Sequence, residues 1–233
     1  MQVLSQSKKT VLIVCLLVVI LIVTLFIFQN ASQPPLPPAP SSYPGEVTQY
    51  QNQSLTSISA FIQELNQHPD VSIKGTQNLN QTTYRLTVNG LVNKTMEYAY
   101  QDVVDNFQSY QQVGKLPCVE GWSVTMLWQG VLVNDLLQDA GVSPNATTII
   151  FTASDGYTTE LPLSYIVQHN LILAYKLNNV TLTPQVGWPF MLIAQNQYGY
   201  KWIKWITGIE ASNDTSYLGY WESRGYPNDA SVS

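Results

Sequence analysis

The stretch Leu116-Pro117-Cys118-Val119-Glu120-Gly121-Trp122-Ser123 decides how the fold of this chain is interpreted. It places a thiol two residues before a carboxylate and follows both with a Gly-Trp pair. A thiol is a soft metal ligand and a carboxylate can carry a proton, so together they suit a metal centre that moves protons. In an extended segment, Cys118 and Glu120 would lie on the same side of the chain. The alternative is a buried structural cysteine.

A second stretch, Tyr198-Gly199-Tyr200-Lys201-Trp202-Ile203-Lys204-Trp205-Ile206, combines lysines with aromatic rings. Gly199 permits close approach of a ligand to the backbone, and lysines between aromatic rings can hold a phosphate group or a planar ring. A regular strand would put Lys201 and Lys204 on opposite faces, whereas a turn would bring them together. The competing interpretation is an edge strand that lysine keeps soluble.

The composition excludes several classes of function. The chain has 233 residues and a net charge of −5, and only 11% of its residues are charged. A nucleic-acid binder with a large basic surface is therefore excluded. Two cysteines and two histidines are too few for a zinc cage or a disulfide scaffold. His68 and His169 lack partners at ligand spacing, so both are expected at the surface or at helix ends.

The first 45 residues predict a membrane anchor followed by a spacer. Residues 11–28 are apolar apart from Thr24 and would span about 27 Å as a helix, close to the hydrocarbon thickness of a bilayer. Lys8 and Lys9 precede this run, which predicts a cytoplasmic start at 1–10. The Pro-rich residues 29–45 favour a semi-rigid linker, and 46–233 would then form one extracytoplasmic domain. A cleaved signal peptide is the alternative to the anchor.

Seven Asn-x-Ser/Thr sequons also favour an extracytoplasmic surface. They begin at Asn30, Asn52, Asn80, Asn93, Asn145, Asn179 and Asn213. Because Cys15 lies in the apolar run, Cys118 is the only cysteine of the predicted extracytoplasmic part. A lone cysteine there cannot form an intrachain disulfide and needs another explanation.

Hydrophobic periodicity predicts many short strands and a few short helices. Apolar residues at helical spacing from Leu55 to Leu65 predict a helix that Pro69 ends. Two hairpins are predicted, one turning at Asn89-Gly90 and one at Ser154-Asp155-Gly156. Short helices are predicted at 134–140 and 163–169, and further strands at 171–175, 190–194 and 202–209. The fold class that follows is α+β with a mixed, partly barrel-like β-sheet.

The order of the motifs closely resembles the molybdopterin-binding domain of the sulfite oxidase family, which includes the periplasmic methionine sulfoxide reductase subunit. The resemblance covers roughly 83–230 and rests most on the cysteine motif together with Gly199-Tyr200-Lys201-Trp202. The other matching segments are Trp128-Gln129-Gly130-Val131-Leu132, Asp135-Leu136-Leu137, Asp155-Gly156-Tyr157, Leu173-Ala174-Tyr175 and Gly187-Trp188-Pro189-Phe190. This resemblance implies a mixed α+β fold around a pterin-bound molybdenum.

The resemblance also implies a cofactor, molybdopterin with molybdenum, and residues that hold it. Cys118 matches the cysteine that gives its thiolate to molybdenum, and Glu120 matches a carboxylate beside the metal and is the candidate for proton delivery. Gly199, Tyr200 and Lys201 match the segment that holds the pterin phosphate, with Lys204 in support. A small-molecule substrate and a separate electron carrier are the implied partners.

Missing arginines narrow the expected function. Many relatives have Pro-x-Arg where this chain reads Pro189-Phe190-Met191, and Arg85 and Arg224 are the only arginines in the chain. The chain therefore cannot form the arginine cluster with which the sulfite oxidases bind an oxyanion. Sulfite oxidation is not expected, and the substrate is expected to be neutral. The prediction is a membrane-anchored, extracytoplasmic molybdopterin-dependent oxidoreductase that transfers two electrons. The alternatives are a cofactor-free member of the fold acting as a binding or envelope-interaction module, and a glycan-binding domain.

Overall fold

The computed structural model of this protein describes residues 40–232. The predicted cytoplasmic start, the predicted span at 11–28 and most of the predicted linker lie outside these residues. Within the described range, no helix has the length and apolar character needed to cross a membrane.

The strands of residues 40–232 form two five-stranded sheets and one small hairpin. The strands are β1 Gln49–Tyr50, β2 Gln53–Ser54, β3 Leu86–Gly90, β4 Met96–Tyr98, β5 Tyr110–Pro117, β6 Ser123–Leu132, β7 Thr148–Ala153, β8 Thr158–Pro162, β9 Ile172–Leu177, β10 Val180–Thr181, β11 Met191–Ile193 and β12 Ile206–Ser212. The hairpin pairs β1 with β2. The first large sheet has the order β10-β9-β6-β5, with β11 also paired to β9, and the second has the order β4-β3-β12-β7-β8.

Helices connect these strands. They are α1 Ile58–Gln67, α2 Tyr100–Asn106, α3 Val133–Asp139 and α4 Leu163–Gln168, with 3₁₀ turns at Pro69–Val71, Gly199–Lys201 and Glu222–Arg224. The first helix begins after Ser57, whose hydroxyl accepts a hydrogen bond from Ala60 N at 3.2 Å. It buries the apolar face that its spacing predicts, namely Ile58, Phe61, Ile62 and Leu65. The α3 and α4 predictions are confirmed to within a residue or two at each end.

The sheet is mixed, as the sequence predicts, because β12 runs parallel to β3 and antiparallel to β7. The expectation of one partly barrel-like sheet is replaced by two separate sheets. In the described chain no strand of the order β10-β9-β6-β5 pairs with the sheet that contains β12. The cleft described below is lined by residues from the ends and connections of both sheets.

Both hairpin predictions are confirmed. β7 and β8 pair across Ser154-Asp155-Gly156, and β3 and β4 pair antiparallel across the connection that contains Asn89-Gly90. This second connection is longer than a two-residue turn, since its last pair is Val88 with Met96. Gly90 also permits a close approach of β12, since a Cβ there would lie 2.2 Å from the carbonyl oxygen of Ala211.

The strand predicted at 202–209 begins later than expected. Residues 199–201 form a 3₁₀ turn, Trp205 has a positive φ of 53°, and regular pairing starts at Ile206. A left-handed backbone conformation at Trp205 ends any regular strand before β12. Consequently Lys201 and Lys204 lie neither in one regular strand nor in one simple turn, the two arrangements considered for this segment.

Candidate functional site

A single cleft brings the two chemical motifs together. It is lined by α1 and the turn after it, by the connection between β5 and β6, by the β7–β8 turn, by residues 199–205 and by the C-terminal segment. The cleft has a volume of about 890 Å³ including its open mouth. Of the predicted site residues, Cys118, Glu120, Gly199, Tyr200 and Lys204 line it.

The cysteine motif forms the tight connection between β5 and β6. Cys118 N donates to the carbonyl of Trp122 at 2.9 Å, and Gly121 N donates to the carbonyl of Cys118 at 3.1 Å. Gly121 has a φ of 93°, a left-handed conformation that favours glycine. The extended conformation considered for this segment is therefore wrong. The turn nevertheless brings Cys118 Sγ within 3.7 Å of Glu120 Oε2.

The surroundings of Cys118 keep its thiol protonated. Burial raises the pKa of the Cys118 thiol and the Glu120 carboxylate raises it further, while the backbone amides of Glu120 and Val119 act in the opposite direction. A nucleophilic cysteine needs the reverse, a positive environment that lowers its pKa. The thiol is thus poorly suited to nucleophilic catalysis, and a cation bound in the cleft would favour its thiolate form.

His68 is a site residue that sequence reasoning missed. It follows α1, as a helix-end residue, and its Nδ1 lies 3.0 Å from Glu120 Oε2. Its ring stacks on Trp122 with 5.7 Å between ring centroids, and its Nε2 lies 3.7 Å from Glu64 Oε2. No spacing or motif connects His68 with Glu120, so only the fold could reveal the contact.

Lys201 is directed away from the cleft. Its ammonium lies 2.7 Å from Glu222 Oε1 and 3.3 Å from Glu160 Oε1, and it donates to the carbonyl of Glu160 at 3.0 Å and to Asn228 Oδ1 at 3.1 Å. The side chain is fully buried. An ammonium has three donors, and the protein itself occupies them. The structure therefore does not bring the Lys201 side chain to a phosphate in the cleft.

Lys204, three residues later, does face the cleft. Its ammonium lies 4.3 Å from the centroid of the Trp205 ring. Burial lowers the pKa of Lys204 to about 7, and the carboxylate of Asp155 opposes this effect. Among residues 40–232, no carboxylate oxygen lies within ion-pair distance of Lys204. An anionic group in the cleft would supply the missing partner.

The cleft also fits a metal-bearing organic cofactor on other grounds. Trp122 Nε1 is buried and has no hydrogen-bond partner, so it is a donor available to a bound molecule. The described residues contain no group of three or more His, Cys, Asp or Glu side chains that could hold a metal ion by themselves. A metal bound through Cys118 would thus need most of its ligands from another molecule, and a metal-carrying pterin brings its own.

Comparison with known proteins gives a family and several relatives. The family model "oxidoreductase molybdopterin binding domain" matches residues 73–221. The oxidoreductase YuiH of Bacillus subtilis is 36% identical over 148 residues, which are 63% of this chain and 74% of that protein. The protein-methionine-sulfoxide reductase catalytic subunit MsrP of Gluconobacter oxydans is 26% identical over 187 residues, which are 73% of this chain and 60% of that protein.

Among solved structures, the sulfane dehydrogenase SoxCD of Paracoccus pantotrophus matches with a TM-score of 0.58. The identity is 22%, and the match covers 60% of this chain and 41% of that chain. At this identity the match concerns the fold alone.

Proposed function

This chain belongs to the family of oxidoreductase molybdopterin-binding domains, and from that premise we propose that it is a two-electron oxidoreductase whose molybdenum is held by Cys118. The predicted molybdopterin cofactor and the sulfite-oxidase-type fold agree with the family match. The observation that carries the proposal is the convergence, in one cleft, of a thiol outside any disulfide, an ammonium without a carboxylate at ion-pair distance and a buried indole N–H without an acceptor.

Each of these groups has a separate task. When bound, molybdopterin supplies a metal that exchanges two electrons with the substrate. Cys118 gives its thiolate to that metal, and Glu120 Oε2, 3.7 Å from Sγ, accepts or delivers a proton at the reacting position. Lys204 and the Trp122 N–H hold polar groups of the pterin. The aromatic side chains of the cleft, such as Trp202, offer apolar surface to a bound molecule.

The charge of the cleft favours a neutral substrate. Three carboxylates, those of Asp70, Glu120 and Asp155, line the cleft together with the single ammonium of Lys204. Once Lys204 pairs with an anionic group of the cofactor, no lysine or arginine of the cleft lining remains for an anionic substrate. An oxide of a neutral compound, such as a sulfoxide or an N-oxide, is the class that fits.

The reaction balances only with a second protein or a soluble carrier. A substrate oxide takes up two electrons and two protons, and the products are the deoxygenated compound and water. The electrons come from the separate carrier, and protons pass through Glu120. In the reverse direction the deoxygenated compound and water give the oxide, two protons and two electrons, and the electrons pass to the separate carrier.

The cofactor-free alternative receives no support from the cleft. Such a binding or envelope-interaction module would have its cleft filled by its own aromatic side chains. Trp202, Trp221 and Tyr226 line the cleft, but they do not close it. The glycan-binding alternative likewise offers no reason for a thiol beside a carboxylate.

We also propose that the domain is anchored to a membrane by residues 11–28 and faces the extracytoplasmic side. Support comes from the apolar run and the two lysines before it. Extraction of membranes with alkaline carbonate should leave the full-length protein in the pellet, and protease added to the outside of intact cells or spheroplasts should digest the domain. Release into the supernatant would contradict the anchor, and protection of the domain would contradict the orientation.

Metal analysis and an activity assay test the enzymatic proposal. The full-length protein, produced in a host that makes molybdopterin, should contain molybdenum in an amount equal to that of the chain. It should reduce neutral sulfoxides or N-oxides with a reduced dye as electron donor, and Glu120→Gln should lower kcat more than it raises KM. Purification without molybdenum, or turnover of sulfite in preference to the neutral compounds, would overturn the proposal.

A further inference from the structure

The contact between His68 and Glu120 joins a residue outside the family match to a residue inside it. Glu120 lies within the family match at 73–221, and His68 lies before it. The segment that contains His68 is fixed at two points. His68 Nδ1 lies 3.0 Å from Glu120 Oε2, and Ile73 N donates to Asp155 Oδ2 at 3.1 Å. The carboxylates of Glu120 and Asp155 both line the cleft, so the segment that contacts them forms one wall of the cleft.

Glu120 needs such a partner to stay beside Cys118. Its side chain is 34% exposed, so solvent can compete for its carboxylate. A glutamate side chain that is free to rotate gains conformational entropy by leaving a fixed position. Among the described residues, the hydrogen-bond and ion-pair contacts of this carboxylate are with Cys118 Sγ and His68 Nδ1. Nδ1 of His68, at 3.0 Å, lies nearer to the carboxylate than Cys118 Sγ does, and a ring N–H is a stronger donor than a thiol, so His68 has the larger influence on its orientation.

His169 shows that the local setting of His68 is not special in itself. It also follows the last residue of a short helix, α4, and it also stacks on an aromatic ring, that of Tyr165 at 4.1 Å between centroids. Within residues 40–232, no carboxylate lies at ion-pair distance from His169. The feature that distinguishes His68 is therefore its carboxylate partner at the site.

We propose that His68 is a positioning residue that holds the Glu120 carboxylate beside Cys118 Sγ and so keeps the proton carrier turned toward the cleft. The Trp122 ring, on which His68 stacks, fixes the orientation of the imidazole. The catalytic importance of this position rests on the proposed function, in which Glu120 handles protons. The geometry itself can be tested without any cofactor.

Alkylation of Cys118 measures whether a carboxylate lies beside its sulfur. Iodoacetamide is neutral and iodoacetate is anionic, and both react with the same thiolate. The ratio of their rates therefore cancels the thiolate fraction and reports the local charge near Sγ. The assay uses full-length protein in detergent from a host that makes no molybdopterin. Mass spectrometry of the Cys118-containing peptide separates it from Cys15.

The variants separate position from charge. Glu120→Gln should lower the ratio of iodoacetamide to iodoacetate rates about fivefold, the effect of a nearby unit charge in water. His68→Phe keeps a ring on Trp122 but has no donor, so it should lower the ratio most of the way to that of Glu120→Gln. His68→Ala should give the same result without added bulk. His68→Asn, which offers an amide donor near the place of Nδ1, should restore the wild-type ratio, and His169→Phe should leave it unchanged.

Two results would overturn the inference. The first is a wild-type or higher ratio in both His68→Phe and His68→Ala alongside a lowered ratio in Glu120→Gln, because Glu120 would then keep its position unaided. The second is an unchanged ratio in Glu120→Gln, because no carboxylate would then lie beside the thiol. Absence of molybdenum from protein made in a cofactor-producing host would overturn the proposed function and leave the alkylation result standing, so the two failures are distinguishable.

Discussion

The two sides of the segment 199–205 carry the same kind of side chain in opposite environments. On the inner side, Lys201 is fully buried between Glu222 and Glu160. On the cleft side, Lys204 has the Trp205 ring beneath it and no carboxylate within ion-pair distance in the described residues. The inner lysine is neutralised by the protein and serves the fold. The outer lysine has no carboxylate partner among the described residues and is the proposed ligand of an anionic group of the cofactor.

This difference shows why a shared motif does not assign a shared role. The 3₁₀ turn at Gly199–Lys201 and the left-handed Trp205 send the two side chains to different surroundings. The Lys201–Glu222 contact also holds the C-terminal segment, which contributes Trp221 and Tyr226 to the cleft. The inner lysine thus supports the cleft indirectly, through the position of that segment.

Removal of the inner ammonium should have the largest effect on stability. Lys201→Met leaves the carboxylates of Glu222 and Glu160 buried without their cation, which costs about 3–5 kcal/mol of unfolding free energy. Chemical denaturation of the cofactor-free protein measures this loss. Lys115→Met, at an exposed position, is the control and should change the stability by less than about 0.5 kcal/mol. A loss as small as that of the control would show that the buried ion pairs do not support the fold.

Removal of the outer ammonium should act on the cofactor instead. Lys204→Met removes a charge-assisted contact worth about 1.5–3 kcal/mol, so the protein should lose molybdopterin about ten- to a hundredfold more readily. Molybdenum retained after dialysis measures the effect. Molybdenum retention equal to that of the wild type would contradict the proposal that Lys204, unlike Lys201, binds the cofactor.

The stability of the cofactor-free protein should also depend on pH through Lys204. Its pKa is lowered to about 7 in the folded protein, whereas an unfolded lysine has a pKa of about 10.4. Between these values the unfolded chain binds more protons, so the unfolding free energy should rise with pH, by at most about 1.4 kcal/mol per pH unit. Below about pH 7 both states are protonated and the full cost of the buried charge remains.

Denaturation curves at several pH values test this sign. The stability of the wild type should rise relative to that of Lys204→Met from about pH 7 to pH 10. Lys115→Met should follow the wild type. Parallel profiles for the wild type and Lys204→Met would mean that the ammonium is not buried as the structure places it.

Removal of the indole N–H of Trp122 should have the smallest effect on cofactor binding. Trp122→Phe keeps an aromatic ring for His68 to stack on but removes the buried N–H that lacks a partner. One neutral hydrogen bond to the cofactor is worth about 1 kcal/mol, so molybdenum retention should fall only a few-fold. No change would show that the indole does not contact the cofactor, and a stability loss larger than that of Lys201→Met would place Trp122 in the fold rather than the site.

The sequence predicts local structure better than it predicts the assembly of the site. Helix α1 and the β7–β8 hairpin follow from spacing and turn residues, which act over a few positions. The motif residues Cys118 and Glu120 are recognisable because they are close in sequence. The contact of His68 with Glu120 and that of Lys201 with Glu222 depend on the tertiary fold, which no local pattern encodes.

The hairpin at Asn89-Gly90 shows the same limit. An Asn-Gly pair is a strong hairpin signal, and β3 and β4 do pair across it. The close approach of Ala211 from β12 to Gly90 involves a residue distant in sequence, which the Asn-Gly pair does not encode. Similarly, the expected strand at 202–209 starts only at Ile206 because Trp205 has a left-handed backbone conformation, which the residue types of this segment do not announce.

X-ray absorption at the molybdenum edge tests the central claim most directly, since it counts the sulfur atoms bound to the metal. The wild-type protein from a cofactor-producing host should show one more sulfur ligand than Cys118→Ser. The Lys201→Met variant, where it folds, should keep the wild-type sulfur count. An equal number of sulfur ligands in the wild type and Cys118→Ser, or the absence of molybdenum from the wild type, would contradict the account.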